Sequence, residues 1–280
     1  MKFKRIEQGG ALRMAALDPS GIWRDVTAFL PDLSAQALAR GDLANAGDWD
    51  IAGQPEITGE HRLLPCVGNV GKFMCIGLNY SDHAAEAGMA IPQHPILFLK
   101  ANSAIAGGED DLVIPRGASR VDWEVELGVV IGTAAKYVDE AQALDHVAGY
   151  CVINDVSERD FQLNLTGQWT KGKSCDGFGP IGPWFVTKDE VGDPQDIALW
   201  ADVNGQRMQT GRTDTMIFSV AQIIAHLSQL MTLHPGDVIA TGTPPGVGMG
   251  MTPQLYLKPG DVVEVGIDGL GAQRQLVRAE

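Results

Sequence analysis

Residues 120–132 read RVDWEVELGVVIG. Most of this run has the apolar character of a strand from a protein interior. Yet Glu124 and Glu126 stand in the middle of it, two positions apart. Strand side chains alternate between faces, so the two glutamates project together while Val125 and Leu127 point the other way. Two like charges that close repel and raise a pKa unless something positive lies between them. A divalent cation is one such partner. The alternative is an exposed face on which both carboxylates are solvated.

Working outward, short apolar runs separated by Gly, Pro and Asp continue on both sides. KFMCIGL (72–78), ILFLKA (96–101), DLVIP (111–115), AGYCVIN (148–154), IALWADV (197–203), DVIAT (237–241) and DVVEVGI (261–267) all read as strands. Asn204-Gly205 within DVNGQR marks a hairpin turn. Helical periodicity is clearest in DEAQALDHV (139–147) and SVAQIIAHLSQLM (219–231), the second with Ser219 as a cap. Many strands with few helices predict an α+β protein, a mostly antiparallel β-roll or barrel with helices packed outside. Residues 1–68 differ in texture. LRMAALDPSGIWRDV (12–26) suggests two strands around a turn, and LSAQALARGDL (33–43) a short helix ending near Gly41. The expected organisation is a small N-terminal subdomain, 1–68, and a catalytic domain, 69–280.

Three further features bear on chemistry. AGYCVIN ends at Asn154 and Asp155. Two glutamates from one strand and an aspartate from another would give three oxygen ligands on rigid elements. Such a set suits Mg²⁺ or Mn²⁺, with Ca²⁺ as the alternative; zinc fits less well because no Cys or His joins it. Asp155 alone would equally serve as a turn or helix cap before SERDFQ. KGKSCDGFGPIGPW (171–184) places Lys171 and Lys173 ahead of a Gly/Pro-rich loop, where a lysine is either solvated or turned toward a metal and its ligand. His83 and Glu86 in GLNYSDHAAEAG are three apart, close enough on a helical turn for the carboxylate to orient the imidazole as a base. An ordinary surface helix accounts for that spacing as well.

The chain has 280 residues and a formal charge of −14, which argues against nucleic-acid and anionic-membrane partners. No apolar run approaches a membrane span, and MKFKRIEQGG is not followed by a signal-type apolar segment. Cys66, Cys75, Cys151 and Cys175 show no metal-type spacing. The expectation is a soluble cytoplasmic protein.

In chain order, GLNYSDHAAE (77–86), ILFLKANSAI (96–105), VDWEVELGVVIG (121–132), GYCVINDVSERDFQ (149–162), KGKSCDGFGPIGP (171–183), TDTMIFSVAQIIAHLS (213–228) and GDVIATGTPPGVG (236–248) together resemble the fumarylacetoacetate hydrolase family. The resemblance covers about residues 70–270. It implies a mixed β-roll and a divalent metal, Mg²⁺ or Mn²⁺, held by Glu124, Glu126 and Asp155. It places Lys173 beside the metal and makes His83 with Glu86 the water-activating pair. Thr243 and Gly242 of TGTP, Arg159 and Gln162 of SERDFQ, and Lys100 of ILFLKANSAI are the implied substrate contacts. Relatives of this length are usually homodimers. Leu78 stands where many members have Arg, and Cys175 where many have an aromatic residue.

The pattern is similar to a bacterial subgroup that includes 2,4-diketo-3-deoxy-L-rhamnonate and L-fuconate hydrolases and proteins labelled ureidoglycolate lyase. The implied reaction is hydrolysis of a 2,4-diketo acid. Water deprotonated by His83 with Glu86 attacks C4, the C3–C4 bond breaks, and pyruvate leaves with a carboxylic acid, L-lactate for the rhamnonate. Acylpyruvate hydrolysis, oxaloacetate decarboxylation and ureidoglycolate cleavage are the alternatives on the same site, and a non-catalytic binding protein is the remote one.

Overall fold

The run that poses the question lies at the centre of the largest sheet. Val125–Ile131 pairs antiparallel with Val147–Asn154 on one side and Val238–Ala240 on the other, and every one of its residues is buried. A strand covered on both faces has no polar side to alternate with, which is why its sequence reads as a continuous apolar run. The computed structural model describes residues 1–82 and 90–280.

The sheet runs in the order Trp23–Asp25, Ala11–Leu17, Lys2–Gln8, Gly179–Thr187, Val147–Asn154, Val125–Ile131, Val238–Ala240, Phe73–Gly77, Ile96–Lys100. A second sheet holds Gln206–Arg212, Ala198–Val203, Val262–Ile267, Gly271–Ala279 and Leu112–Ile114. Most neighbours are antiparallel, but Phe73–Gly77 with Val238–Ala240, Ile105–Gly107 with Gly179–Thr187, and Leu112–Ile114 with Gly271–Ala279 are parallel. The architecture is the expected mixed α+β one. The described strands form open sheets and do not close into a barrel.

Alternation along the central strands divides the interior in two. Val125, Leu127, Val129 and Ile131 face a core shared with the second sheet and with the helix Val220–Leu230, through Ile223, Ile224 and Leu227. Ser219 and Gln222 cap that helix reciprocally, each side chain meeting the other's backbone N–H. Val130, Cys151 and Ile153 face the opposite core, which Phe3, Met14, Leu30 and Leu33 cover. Residues 1–68 therefore extend the same sheet, with Phe3 opposite Phe185, and roof the face to which Glu126 belongs.

Two expectations need correction. GFGPIGPW was read as part of a loop, but Gly179–Thr187 is a nine-residue strand between Lys2–Gln8 and Val147–Asn154. Pro183 is tolerated because the pairing with Val147–Asn154 slips between Tyr150 and Val152, leaving Pro183–Phe185 without partners on that strand, while Pro180 stands opposite Ala106 of the parallel Ile105–Gly107. Gln273 then reaches across from the second sheet, and its Nε2 lies within hydrogen-bond distance of the carbonyls of Val152, Pro180 and Gly182. The second correction concerns DEAQALDHV, which forms only one α-turn, Glu140–Ala143, and tightens to a 3₁₀ turn at Leu144–His146.

Candidate functional site

Asp155 follows directly on the strand Val147–Asn154, and its N–H donates to the Glu124 carbonyl at 2.9 Å. Cross-strand pairing thus carries Asp155 to Glu124, while Glu126 sits opposite Ile153 on the same face. Carboxylate oxygens of Glu124, Glu126 and Asp155 all lie within 4.8 Å of one another, and all three residues are buried. Side-chain amides hold the strand where its backbone pairing ends. Asn154 Oδ1 accepts from Glu124 N–H at 3.2 Å, and Gln209 Oε1 accepts from Val125 N–H at 3.0 Å. Gln209 Nε2 donates in turn to Thr243 Oγ1, whose hydroxyl donates to the Val125 carbonyl.

Three cations surround the triad. Lys173 lies on the short helix Thr170–Lys173, not in a loop, and its Nζ is 2.8 Å from Glu124 Oε2 and 2.9 Å from Asp155 Oδ2. Gly172 makes that approach available, since a Cβ there would lie 2.2 Å from the Glu158 carbonyl oxygen. Arg159 donates to Asp122 Oδ1 at 2.7 Å, to Glu124 Oε1 at 2.6 Å and to Gln162 Oε1 at 3.0 Å. Lys100 Nζ is 2.6 Å from Asp155 Oδ1 and donates to the carbonyls of Val156, Lys173 and Phe178. Lys100, implied as a substrate contact, is therefore a buried brace behind Asp155 with its donors committed. Gly242 likewise turns its N–H to Glu126 Oε2 at 2.8 Å.

The electrostatics follow from these partners. Burial alone would raise the pKa of Glu124, but Lys173 and Arg159 outweigh it and hold the carboxylate below its ordinary range. Burial would lower Lys173, yet Asp155 and Glu124 hold it above the usual lysine value. Among the described residues no cation is in contact with Glu126, and the attraction of Lys173 is outweighed. Burial, then Asp155 and Glu124, push it well up. Asp122 is pushed to about 6, by burial first, with Arg159 opposing and Glu124 adding.

Among the described residues, then, four buried carboxylates (Asp122, Glu124, Glu126, Asp155) face three buried cations (Lys100, Arg159, Lys173). The surplus negative charge and the all-oxygen donor set fit a hard divalent cation. Asp122 shares the strand parity of Glu124 and Glu126. The three-acid alternation in VDWEVE was the signal that could have found it.

Beside the triad lies a cavity of about 170 Å³, onto which Glu124, Glu126, Arg159, Gln162, Lys173 and Thr243 open. Its other walls are apolar, with Trp169 set edge-on to Phe98 at a ring distance of 5.5 Å. A larger cavity, about 590 Å³, lies near Met1 and Trp49 and holds none of the implied site residues. Trp123 is buried away from the cavity, donating to the Gly246 carbonyl, and Asp160 pairs with Arg120 outside it. His83 and Glu86 lie outside the described residues. No helix among the described residues is long and apolar enough to cross a membrane.

Known proteins share this arrangement of elements. Residues 72–278 match the family described as Fumarylacetoacetate (FAA) hydrolase C-terminal. A protein of Burkholderia multivorans named "Putative hydrolase" is 57% identical over 280 residues, covering 100% of this chain and 99% of its own length. The solved fumarylacetoacetate hydrolase of Exiguobacterium antarcticum is 38% identical and superposes with a TM-score of 0.89 over 100% of both chains. Maleylpyruvate hydrolase from Sphingobium sp. SYK-6, solved with manganese(II) and pyruvate, is 28% identical, with a TM-score of 0.82 over 100% of this chain and 99% of that one. Isomerases occur among the similar structures too. With the profile spanning most of the sequence and full-length relatives on either measure, the chain belongs to the fumarylacetoacetate hydrolase family.

Proposed function

We propose that the protein is a divalent-metal-dependent hydrolase that cleaves the C3–C4 bond of a 2,4-diketo acid and releases pyruvate. The observation that carries this reading is the buried triad of Glu124, Glu126 and Asp155, of which Glu124 and Glu126 open onto a small cavity. Held by those three carboxylates, Mg²⁺ or Mn²⁺ would supply Lewis-acid polarisation of the 2-oxo group. Support comes from the similar maleylpyruvate hydrolase, whose structure contains manganese and pyruvate.

The chain's own groups have distinct tasks. Lys173 and Arg159 keep Glu124 ionised and fix its orientation. Lys100, 2.6 Å from Asp155 Oδ1, fixes the position of Asp155 from behind. Gln162 receives an Arg159 N–H and faces the cavity, where its amide N–H can orient the substrate's oxygens; Thr243 also faces the cavity, but its proton goes to the Val125 carbonyl, so it can only accept from a substrate hydroxyl. His83, steered by Glu86, takes the proton of the attacking water. Water adds to C4, the C3–C4 bond breaks, and C3 takes up a proton. Pyruvate and the acid derived from C4 leave. Our first candidate substrate is 2,4-diketo-3-deoxy-L-rhamnonate or its L-fuconate counterpart, giving L-lactate as the second product.

Pyruvate release tests the reading. The rhamnonate-derived acid and acetylpyruvate should both yield pyruvate with Mg²⁺ or Mn²⁺ and none after chelation. The second acid should appear in equal amount. His83→Ala should abolish cleavage. Pyruvate from oxaloacetate alone would replace hydrolysis by decarboxylation, and intact cleavage in His83→Ala would remove the water-activating assignment.

A further inference from the structure

We propose that the cavity selects a 2-oxo acid whose far end is uncharged and closes on an apolar carbon. The inference rests on the 2-oxo acid reading above and states the class of tail the cavity takes, of which the methyl-ended candidate substrate is one member. Away from the triad, the described walls are Leu78, Phe98, Leu163, Trp169 and Met249 with the side of Ile76. Every described cation near them is already engaged. Arg159 has Asp122, Glu124 and Gln162; Lys173 has Glu124 and Asp155. Lys171 turns to the Leu165 carbonyl and Thr166 Oγ1, and Arg120 to Asp160 and Tyr256.

The walls are held in place. Leu78 stands at φ 50°, a region an L side chain seldom adopts, and the neighbouring Asn79 pins the turn by bonding Phe218 N–H and the carbonyls of Phe218 and Thr241. Met249 is fixed by its N–H to Asp122 Oδ2 at 2.8 Å. Phe98 and Trp169 brace one another, and Trp169 rests where a Gly77 Cβ would lie 2.3 Å from its ring.

Charge points the same way. Among the described residues Asp122, Glu124, Glu126 and Asp155 face Lys100, Arg159 and Lys173, so one dication together with one head-group carboxylate brings these seven groups to neutrality. A second carboxylate on the tail would meet apolar walls, without a counter-charge among the described residues.

The test compares two ligands of matched head and near-equal length, 2-oxohexanoate and 2-oxoadipate, by titration calorimetry on the Mn²⁺-loaded protein. The apolar-ended acid should bind about a hundredfold tighter, the scale expected when a buried carboxylate lacks a partner. Leu163→Arg, which sets a guanidinium at the cavity rim, should then tighten 2-oxoadipate at least about tenfold. Equal or tighter binding of 2-oxoadipate to the unaltered protein overturns the proposal, and so does failure of both ligands to bind. Hydrolysis separates the two readings. A preference for 2-oxohexanoate with no pyruvate from any diketo acid would sink the hydrolase and leave the tail selection standing. Pyruvate from diketo acids together with a preference for carboxylate tails would do the reverse.

Discussion

Replacing Lys173 by Met keeps the length of the side chain and removes its charge. The ammonium is only 2% exposed and lies within 3 Å of Glu124 and Asp155, at 2.8 and 2.9 Å. Without it, four buried carboxylates face two cations, Lys100 and Arg159. Breaking a buried pair by removing one partner costs about 3–5 kcal/mol, because the remaining charge is stranded. A chain of 280 residues gains about 0.6 kcal/mol of unfolding entropy per kelvin near its midpoint, so Tm should fall by about 5–8 °C in chelator at pH 8.

The loss should shrink as pH is lowered. With the lysine gone, a carboxylate of the cluster holds a proton in the folded state at a pH where the unfolded chain has released it. Stability is then greatest below the unfolded pKa and declines as pH rises through the folded one. Saturating Mn²⁺ should raise Tm more in the variant than in the parent, since the ion replaces the missing charge. Differential scanning fluorimetry from pH 5 to 8, with chelator and with Mn²⁺, reads all three effects. A Tm loss under about 2 °C at pH 8, or equal stabilisation of both proteins by Mn²⁺, would refute the charge argument.

Glu126→Gln should act in the opposite sense on stability and weaken metal binding. It removes the carboxylate that burial, Asp155 and Glu124 push up, so the metal-free protein should melt about 2 °C or more higher while Mn²⁺ affinity falls at least about tenfold by calorimetry. Gln273→Leu strands the carbonyls of Val152, Pro180 and Gly182, of which one amide can serve two at once; chemical denaturation should show a loss of about 2–4 kcal/mol. Tyr150 is pushed up to about 12 by burial and by Asp193, against about 10 in the unfolded chain. The unfolded state therefore loses that proton first, and between pH 10 and 12 stability should fall by about 2 kcal/mol more than in Tyr150→Phe, measured by urea midpoints.

The triad was legible because its signal is local. Glu124 and Glu126 interrupt an apolar run at strand period, and Asp155 closes another such run. Asn204-Gly205, both at positive φ, and the Ser219 cap were legible for the same reason, since each is a short-range backbone requirement. What escaped depends on distant partners. Gly179–Thr187 carries strand-breaking residues that are acceptable only opposite the slip at Tyr150/Val152 and beneath Gln273. Gly271–Ala279 hides Gln273 and Gln275 inside, where their amides serve backbone groups of other strands. The family resemblance implied Lys100 as a substrate contact, and the sequence does not display its partners, carbonyls 56 and 78 residues away.

Those same separations govern when the site can exist. Lys173 meets Glu124 across 49 positions, and Gly242 meets Glu126 across 116. Ordering contacts so far apart requires the loop-closure entropy of most of the chain to be spent beforehand. No hairpin or single helix can present more than a fragment of the cluster. The charged centre therefore belongs to the last stage of folding, and metal uptake should lag the return of far-UV signal during refolding. By the same logic, loosening of the four-residue helix Thr170–Lys173 would withdraw Lys173 from the centre while both sheets persist.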